Sequence, residues 1–358
     1  MPAARVELTG SPGSPYTRKM IALLRYRRIP YSIFWDAHNI PDGYPHPKLR
    51  MLPIFFFPEK DGAGRTAAID STPIIRRLES DFSERSVIPS NPTLSFLCDL
   101  IEDYADEWLS KAMFHYRWSR AEDAKNAGPL LTFWTNPTMP AGRSDEVSEA
   151  FAKRQISRLH VVGSNEGTAN AIEESFTRFI SILDTLLERG GFVLGSRPSA
   201  ADFAIYGQLT QLMIIDPTPA SVGRDISARV RAWLDIVEDL SGLEVQPSDW
   251  FSVEAIQEVL APLLQEIGRT YAPVMVANAA ASQKGAPGLK AEVDGNVWKQ
   301  ASFSYQAKCL RWLQDAHEGL PTDARDSVNE LLSGTGCEQL FESLSGTNLS
   351  KAKDESDT

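Results

Sequence analysis

Residues 11–20 read SPGSPYTRKM, and the fold turns on how this stretch is divided. Ser11 to Gly13 is a turn-forming cluster that ends a short alternating run, Arg5 to Thr9, in which Val6 and Leu8 point to one side of a strand. Ser14 then stands where a helix N-cap belongs, and Pro15 takes the first helical position, where its missing N–H costs nothing. From Pro15 to about Arg28 the apolar Met20, Leu23 and Leu24 recur at helical spacing, with Ile21 beside them, and Pro30 stops the helix. Tyr31 to Trp35, aromatic and β-branched, reads as a second strand, so the chain opens with a βαβ unit.

Working outward, residues 36 to 50 are rich in Pro, His, Asp and Gly and predict a loop. Pro53 opens an apolar strand, Ile54-Phe55-Phe56-Phe57, Asp61-Gly62 marks a tight turn, and a further strand follows at about Thr66 to Ile69. A helix from Ser71 to Phe82 closes this part, with Pro73 in its first turn and Ile74, Ile75 and Leu78 on one face. The order β-α-β, β-β-α over residues 1–86 gives an α/β fold class for the first domain.

Beyond the Pro89-Ser90-Asn91-Pro92 linker the texture changes to helices, predicting an all-helical second domain over 90–242. A long helix from about Thr93 to Trp118 carries an aromatic face that includes Tyr104, Trp108, His115 and Tyr116. Ser119 to Gly142, broken by Gly, Asn and Pro, reads as a loop covering a cleft. Helices follow at 146–162 and 168–189, the latter with a core stripe from Ile172 to Leu187 stopped by Gly190-Gly191. Ser199-Ala200-Ala201-Asp202 is a capping box opening another helix. Residues 243–345 form an additional helical extension, with one amphipathic helix through Ile256 and Tyr271 and a second from Trp298 to Trp312; residues 346–358 are polar and read as a disordered tail.

The whole-chain totals narrow the function classes. With 358 residues, 42% hydrophobic and 23% charged, the composition is that of a soluble globular protein of two or more domains. The N-terminus lacks a signal sequence and no stretch suits a membrane span, which predicts a cytoplasmic location. A formal net charge of -11 opposes binding to nucleic acid or anionic membrane, and the basic run Arg25-Tyr26-Arg27-Arg28 reads as a solvated helix end. Cys98, Cys309 and Cys337 are too scattered for a zinc site, so no metal is expected.

Three positions in the first domain point to one cleft. Ser14 offers a hydroxyl at a helix N-terminus, whose amides and partial positive charge favour an anion or thiolate. Leu52-Pro53 enters the third strand where proline can be cis, leaving the backbone of Leu52 free to pair with an extended peptide. Asp70-Ser71 begins the next helix with a carboxylate and a hydroxyl. A ligand with a thiol, a peptide backbone and a zwitterionic end matches the set, and glutathione has all three. Ser11 is a rival for the sulfur contact, because it lies in the same loop.

On these residues the chain resembles the glutathione transferase superfamily over about residues 5 to 240: Ser14-Pro15-Tyr16-Thr17 where relatives carry a catalytic serine or cysteine, Leu52-Pro53 as the cis-proline element, Asp70-Ser71 where relatives commonly have Glu-Ser, and Ser199-Ala200-Ala201-Asp202 as the capping-box helix of the C-terminal domain. The resemblance implies a thioredoxin-like glutathione-binding domain, an all-helical partner domain and, as is usual in the family, a homodimer. It implies catalysis by thiolate activation at Ser14, with glutathione as co-substrate bound at Leu52, Pro53, Asp70 and Ser71, and Lys48 reaching the glycyl carboxylate. A small hydrophobic electrophile would lie against Tyr104, Trp108, His115 and Tyr116, residues for which core packing is the competing reading. The product would be a conjugate, as in detoxification, or a cleaved or isomerised substrate. The alternative is a non-catalytic binding or scaffold protein whose extension docks a partner. Aspartate at 70 and the extension depart from the family pattern.

Overall fold

The computed structural model describes residues 5–35, 40–49, 51–59 and 64–342. The Asp61-Gly62 turn and the tail at 346–358 lie outside the described residues. The first part is a mixed four-stranded sheet in the order β2-β1-β3-β4, formed by β1 (Val6–Thr9), β2 (Tyr31–Phe34), β3 (Ile54–Pro58) and β4 (Arg65–Ala68). β1 runs parallel to β2 and antiparallel to β3, with Leu8 opposite both Ile33 and Phe55. Helices α1 (Pro15–Tyr26) and α2 (Ser71–Asp81) belong to the same part. α1 starts on the Ser14 cap, with Pro15 at its first position, and the chain leaves it through Arg28 at φ +53.

The second part is helical: α3 (Pro92–Tyr104), α4 (Ser110–Ser119), α5 (Ala121–Thr135), α6 (Ala141–Ile156), α7 (Ala169–Gly190), α8 (Ala200–Thr210), α9 (Pro217–Ile226) and α10 (Ala228–Val237). α3 and α4 are one rod, joined by a π-helical turn at Ala105–Leu109. The loop expected at Ser119 to Gly142 is instead mostly α5 and the start of α6. Packing overrides the Gly and Pro signals there: Ala124 and Ala127 are buried in a cluster with Trp118 and Phe151.

The third part holds α11 (Val253–Gln283), a hairpin of β5 (Gly288–Val293) and β6 (Asn296–Ala301), α12 (Ser304–Glu318) and α13 (Thr322–Leu332). The expectation of an all-helical extension is therefore corrected at Trp298, which sits in β6 rather than opening a helix. The extension is built into the molecule. One continuous apolar core takes in Leu23 and Phe55 from the sheet part, Phe176 and Phe203 from the helical part, and Leu263, Trp298 and Leu332 from the extension.

The basic run at the end of α1 is solvated only in part, with Arg28 exposed and Tyr26 and Arg27 buried. Arg27 is 3% exposed and pairs with Glu79 at 2.9 Å. Arg25 reaches Glu238 at 2.6 Å and Arg28 reaches Glu244 at 2.7 Å, so these arginines tie the first part to the chain beyond α10. Among the described residues no helix is long and apolar enough to cross a membrane.

Candidate active site

The Ser11–Ser14 loop joins β1 to α1, and its hydroxyls face different ways. Ser11 is 7% exposed; its Oγ accepts a long bond from Gly13 N at 3.4 Å and its N–H donates to Thr17 Oγ1 at 3.3 Å. Ser14 is half-buried. Its Oγ accepts from the Thr17 N–H at 3.2 Å, capping α1, and donates to the Leu52 carbonyl at 3.3 Å. The Leu52–Pro53 peptide is cis. Ser14 and Leu52 thus meet across 38 positions of sequence.

Three further side chains hold the loop from outside. Arg18 Nε and Gln211 Nε2 donate to the Pro12 carbonyl at 3.1 and 3.3 Å, and Arg117 Nη1 donates to the Gly13 carbonyl at 3.3 Å. Arg117 is itself fixed by both carboxylate oxygens of Asp216 at 2.9 Å, a pair in which the side chains are 4% and 0% exposed. α5 stands directly over the loop: a Cβ on Gly13 would lie 2.3 Å from Leu131 Cδ2 and 3.0 Å from Trp134 Cε3, so those side chains would have to shift to admit one.

At the other end, Asp70 caps α2 from an unusual backbone conformation, φ +81. Its Oδ1 accepts from Thr72 N at 3.3 Å and its Oδ2 from the Tyr305 hydroxyl at 2.9 Å. Burial pushes the Asp70 carboxyl above its ordinary range, and the Tyr305 hydroxyl and the Lys19 ammonium hold part of that shift back. Ser71 is 5% exposed, and its Oγ accepts from Lys19 Nζ at 3.0 Å. The serine proton stays available as a donor.

Lys19 is the residue that ties this end together. It is 1% exposed and donates to Ser71, to Glu102 at 2.8 Å and to Asp106 at 2.6 Å, joining α1, α2 and the α3–α4 rod. Burial works against its charge, but the Asp106 and Glu102 carboxylates outweigh it and raise the lysine above its ordinary value. Burial pushes Asp106 up to about 7 even so. The cluster continues into the extension, where Gln306 donates to Glu107 at 2.9 Å and Tyr271 to Asp103.

The structure separates the aromatic residues from these polar ends. Tyr104, Trp108, His115 and Tyr116 are 0%, 1%, 3% and 2% exposed, which corrects the expectation that they wall an open pocket. Tyr104 lies against Phe179 and Tyr271, Trp108 against Trp298 with its Nε1 donating to Ser175, and Tyr116 against Phe176. His115 bonds Ser164 at 2.7 Å and Glu173 at 3.1 Å, and burial lowers its pKa, so it is a satisfied core histidine. Lys48 is exposed in the segment between β2 and β3. Lys19, Arg117, Gln211 and Tyr305 carried no signal in the sequence, since each acts through a partner far along the chain.

Comparison with known proteins follows the same division. Residues 8–86 match the model of the glutathione S-transferase N-terminal domain, and residues 166–235 that of the glutathione S-transferase C-terminal domain. No curated protein sequence matches the chain. Among solved structures, the β-etherase LigF from a Sphingobium strain is similar at 16% identity, over 71% of this chain and 98% of that one, with a TM-score of 0.45. A glutathione S-transferase from Methylobacterium radiotolerans, in complex with glutathione sulfonate, is similar at 19% identity, over 68% and 99%, with a TM-score of 0.36. A GST-like protein from Pseudomonas syringae is 18% identical, over 65% of this chain and 66% of that one, with a TM-score of 0.39. Neither domain model extends into the third part of the chain. With the N-terminal model on the sheet and the C-terminal model on the helices that follow, in that order, residues 8–86 and 166–235 of the chain carry the two domains of a glutathione S-transferase.

Proposed function

We propose that this protein is a glutathione-dependent enzyme that activates the glutathione thiol at Ser14 for attack on a small hydrophobic electrophile. The observation that carries the reading is the Ser14 hydroxyl, half-buried at the start of α1 and bonded to the carbonyl of Leu52. A cysteine thiol ionises at about pH 8.5, so only a few per cent is thiolate near neutrality. A hydroxyl donor and a helix N-terminus aimed at the sulfur both favour the thiolate, the nucleophilic form.

The bonds present in the structure suggest how the exchange would proceed. When glutathione enters, the Ser14 proton turns from the Leu52 carbonyl to the sulfur. That carbonyl is then free to accept the cysteinyl N–H of the peptide. Ser14 Oγ keeps its bond from Thr17, which polarises the hydroxyl it donates. In this reading the Asp70 carboxylate takes the γ-glutamyl ammonium, Ser71 lies beside its carboxylate, and Lys48 serves the glycyl end. The glutathione sulfonate bound to one similar structure is consistent with a ligand of this kind.

Because the extension shares the main core, it is not a detached docking arm, which favours the catalytic reading over a scaffold. The test is thermal: a ligand that binds only the native state stabilises it by about 2.7 kcal/mol at a hundred times its Kd. The melting temperature is expected to rise with millimolar glutathione. An unchanged melting temperature at saturating concentrations overturns the reading.

A further inference from the structure

Asp70 is held from two distant parts of the chain. The Thr72 contact is ordinary capping, but the Tyr305 contact spans 235 positions and comes from the extension. Tyr305 is placed there by a rigid seat. Asn278, 0% exposed on α11, brackets the residue before α12: its Nδ2 donates to the Phe303 carbonyl and its Oδ1 accepts from the Phe303 N–H, both at 2.8 Å. The next residue along, Gln306, is pinned to Glu107. The first turn of α12 therefore has little freedom, and the tyrosine's one proton is committed to Asp70 Oδ2.

We propose that Tyr305 is a positioning residue for recognition of the ligand's ammonium group: its hydroxyl fixes the orientation of the Asp70 carboxylate, so the extension helps set selectivity for peptides with a free γ-glutamyl amine. The inference rests on the reading that the γ-glutamyl end of glutathione lies at Asp70. It gives the short side chain at 70 a physical counterpart. An aspartate reaches one methylene less far than a glutamate and sits here at φ +81, so its single carboxylate must be aimed, and Tyr305 aims it. Charge-assisted hydrogen bonds are the stronger kind, and a fixed acceptor loses less entropy on binding.

Titration calorimetry of wild type and Tyr305→Phe, with glutathione and with the analogue lacking the γ-glutamyl amino group, tests this. The variant is expected to bind glutathione roughly tenfold more weakly, about 1.4 kcal/mol, because the carboxylate is no longer held in place before the ammonium arrives. Its affinity for the analogue should stay within about twofold of wild type, as no ammonium is then at stake. Equal losses for the two ligands would reduce Tyr305 to a structural role and overturn the inference, as would no loss for either. If Tyr305→Phe does not fold, Tyr305→Met, which also lacks the hydroxyl, supplies the same comparison. Wild type that fails to bind glutathione at millimolar concentration overturns the functional reading itself, whereas binding by wild type with no discrimination in the variant overturns only the role of Tyr305.

Discussion

Two serines open two helices that lie against each other, Ser14 on α1 and Ser199 on α8, and the surroundings make them different objects. At Ser199 the cap is closed upon itself: the backbone N–H and the hydroxyl both donate to Asp202 Oδ2, at 2.8 and 2.6 Å, and Asp202 Oδ1 takes the Val193 N–H at 2.8 Å. Both residues are 0% exposed, so nothing remains for a ligand. At Ser14 no carboxylate follows at the third position, the residue is half-buried, and the hydroxyl donates to a carbonyl from another element. The same capping chemistry is structural where it is sealed and available where its partner can be exchanged.

The sealed side should break hardest. Asp202→Ala strands two buried backbone donors and a hydroxyl at once, at about 1 to 3 kcal/mol for each unsatisfied group. A loss of about 4 kcal/mol in urea unfolding is expected, and a loss under about 1 kcal/mol would mean the closed box is not what holds α8. The next effect joins the two regions. A Cβ on Gly207, in α8, would come within 2.4 Å of the Pro15 carbonyl and 3.1 Å of Lys19 Cβ, in the first turns of α1. Gly207→Ala should therefore cost about 2 kcal/mol by overpacking and weaken the thermal shift caused by glutathione, because the turn that it displaces carries Ser14. A variant that loses stability but keeps the full shift would show that α8 does not position the site.

What could be read in advance follows the same local-versus-distant line. The strand and helix order of the first part, the Ser14-Pro15 start and the Ser199 box are written in neighbouring residues, where capping and punctuation act. α5 was hidden because Asn126, Gly128 and Pro129 argue against a helix locally, and only burial of Ala124 and Ala127 against neighbours supplies the reason for one. The hairpin of the extension had a legible signal in Asp294-Gly295, whose φ values of +51 and +74 suit a tight turn, but the apolar residues around Trp298 fit a helical pattern as well. In the candidate site, Ser14, Leu52-Pro53 and Asp70-Ser71 are dipeptides with their own chemistry. Lys19 and Tyr305 acquire roles only through partners 87 and 235 positions away, and the aromatic stripe of α3 and α4 needed the fold to show which side the extension covers.

The finest distinction lies within the open region, between its two serines. Ser14→Ala removes the acceptor for Thr17 N, costing about 1 kcal/mol of stability, and removes the donor proposed for the sulfur. Bound glutathione should then show its thiolate absorbance only at higher pH, and turnover with a reactive electrophile should fall by about a hundredfold, the scale of losing one aimed donor. Ser11→Ala should do almost nothing. Its hydroxyl, 7% exposed, is turned into the loop and accepts one bond from Gly13 N at 3.4 Å, near the outer limit for a hydrogen bond, so a few tenths of a kcal/mol is the expected loss. An unmoved titration in Ser11→Ala beside a raised one in Ser14→Ala assigns the sulfur contact to the half-buried hydroxyl. The reverse pattern would require the loop to turn inside out on binding, against the three side chains from α1, α4 and the end of α8 that hold its carbonyls.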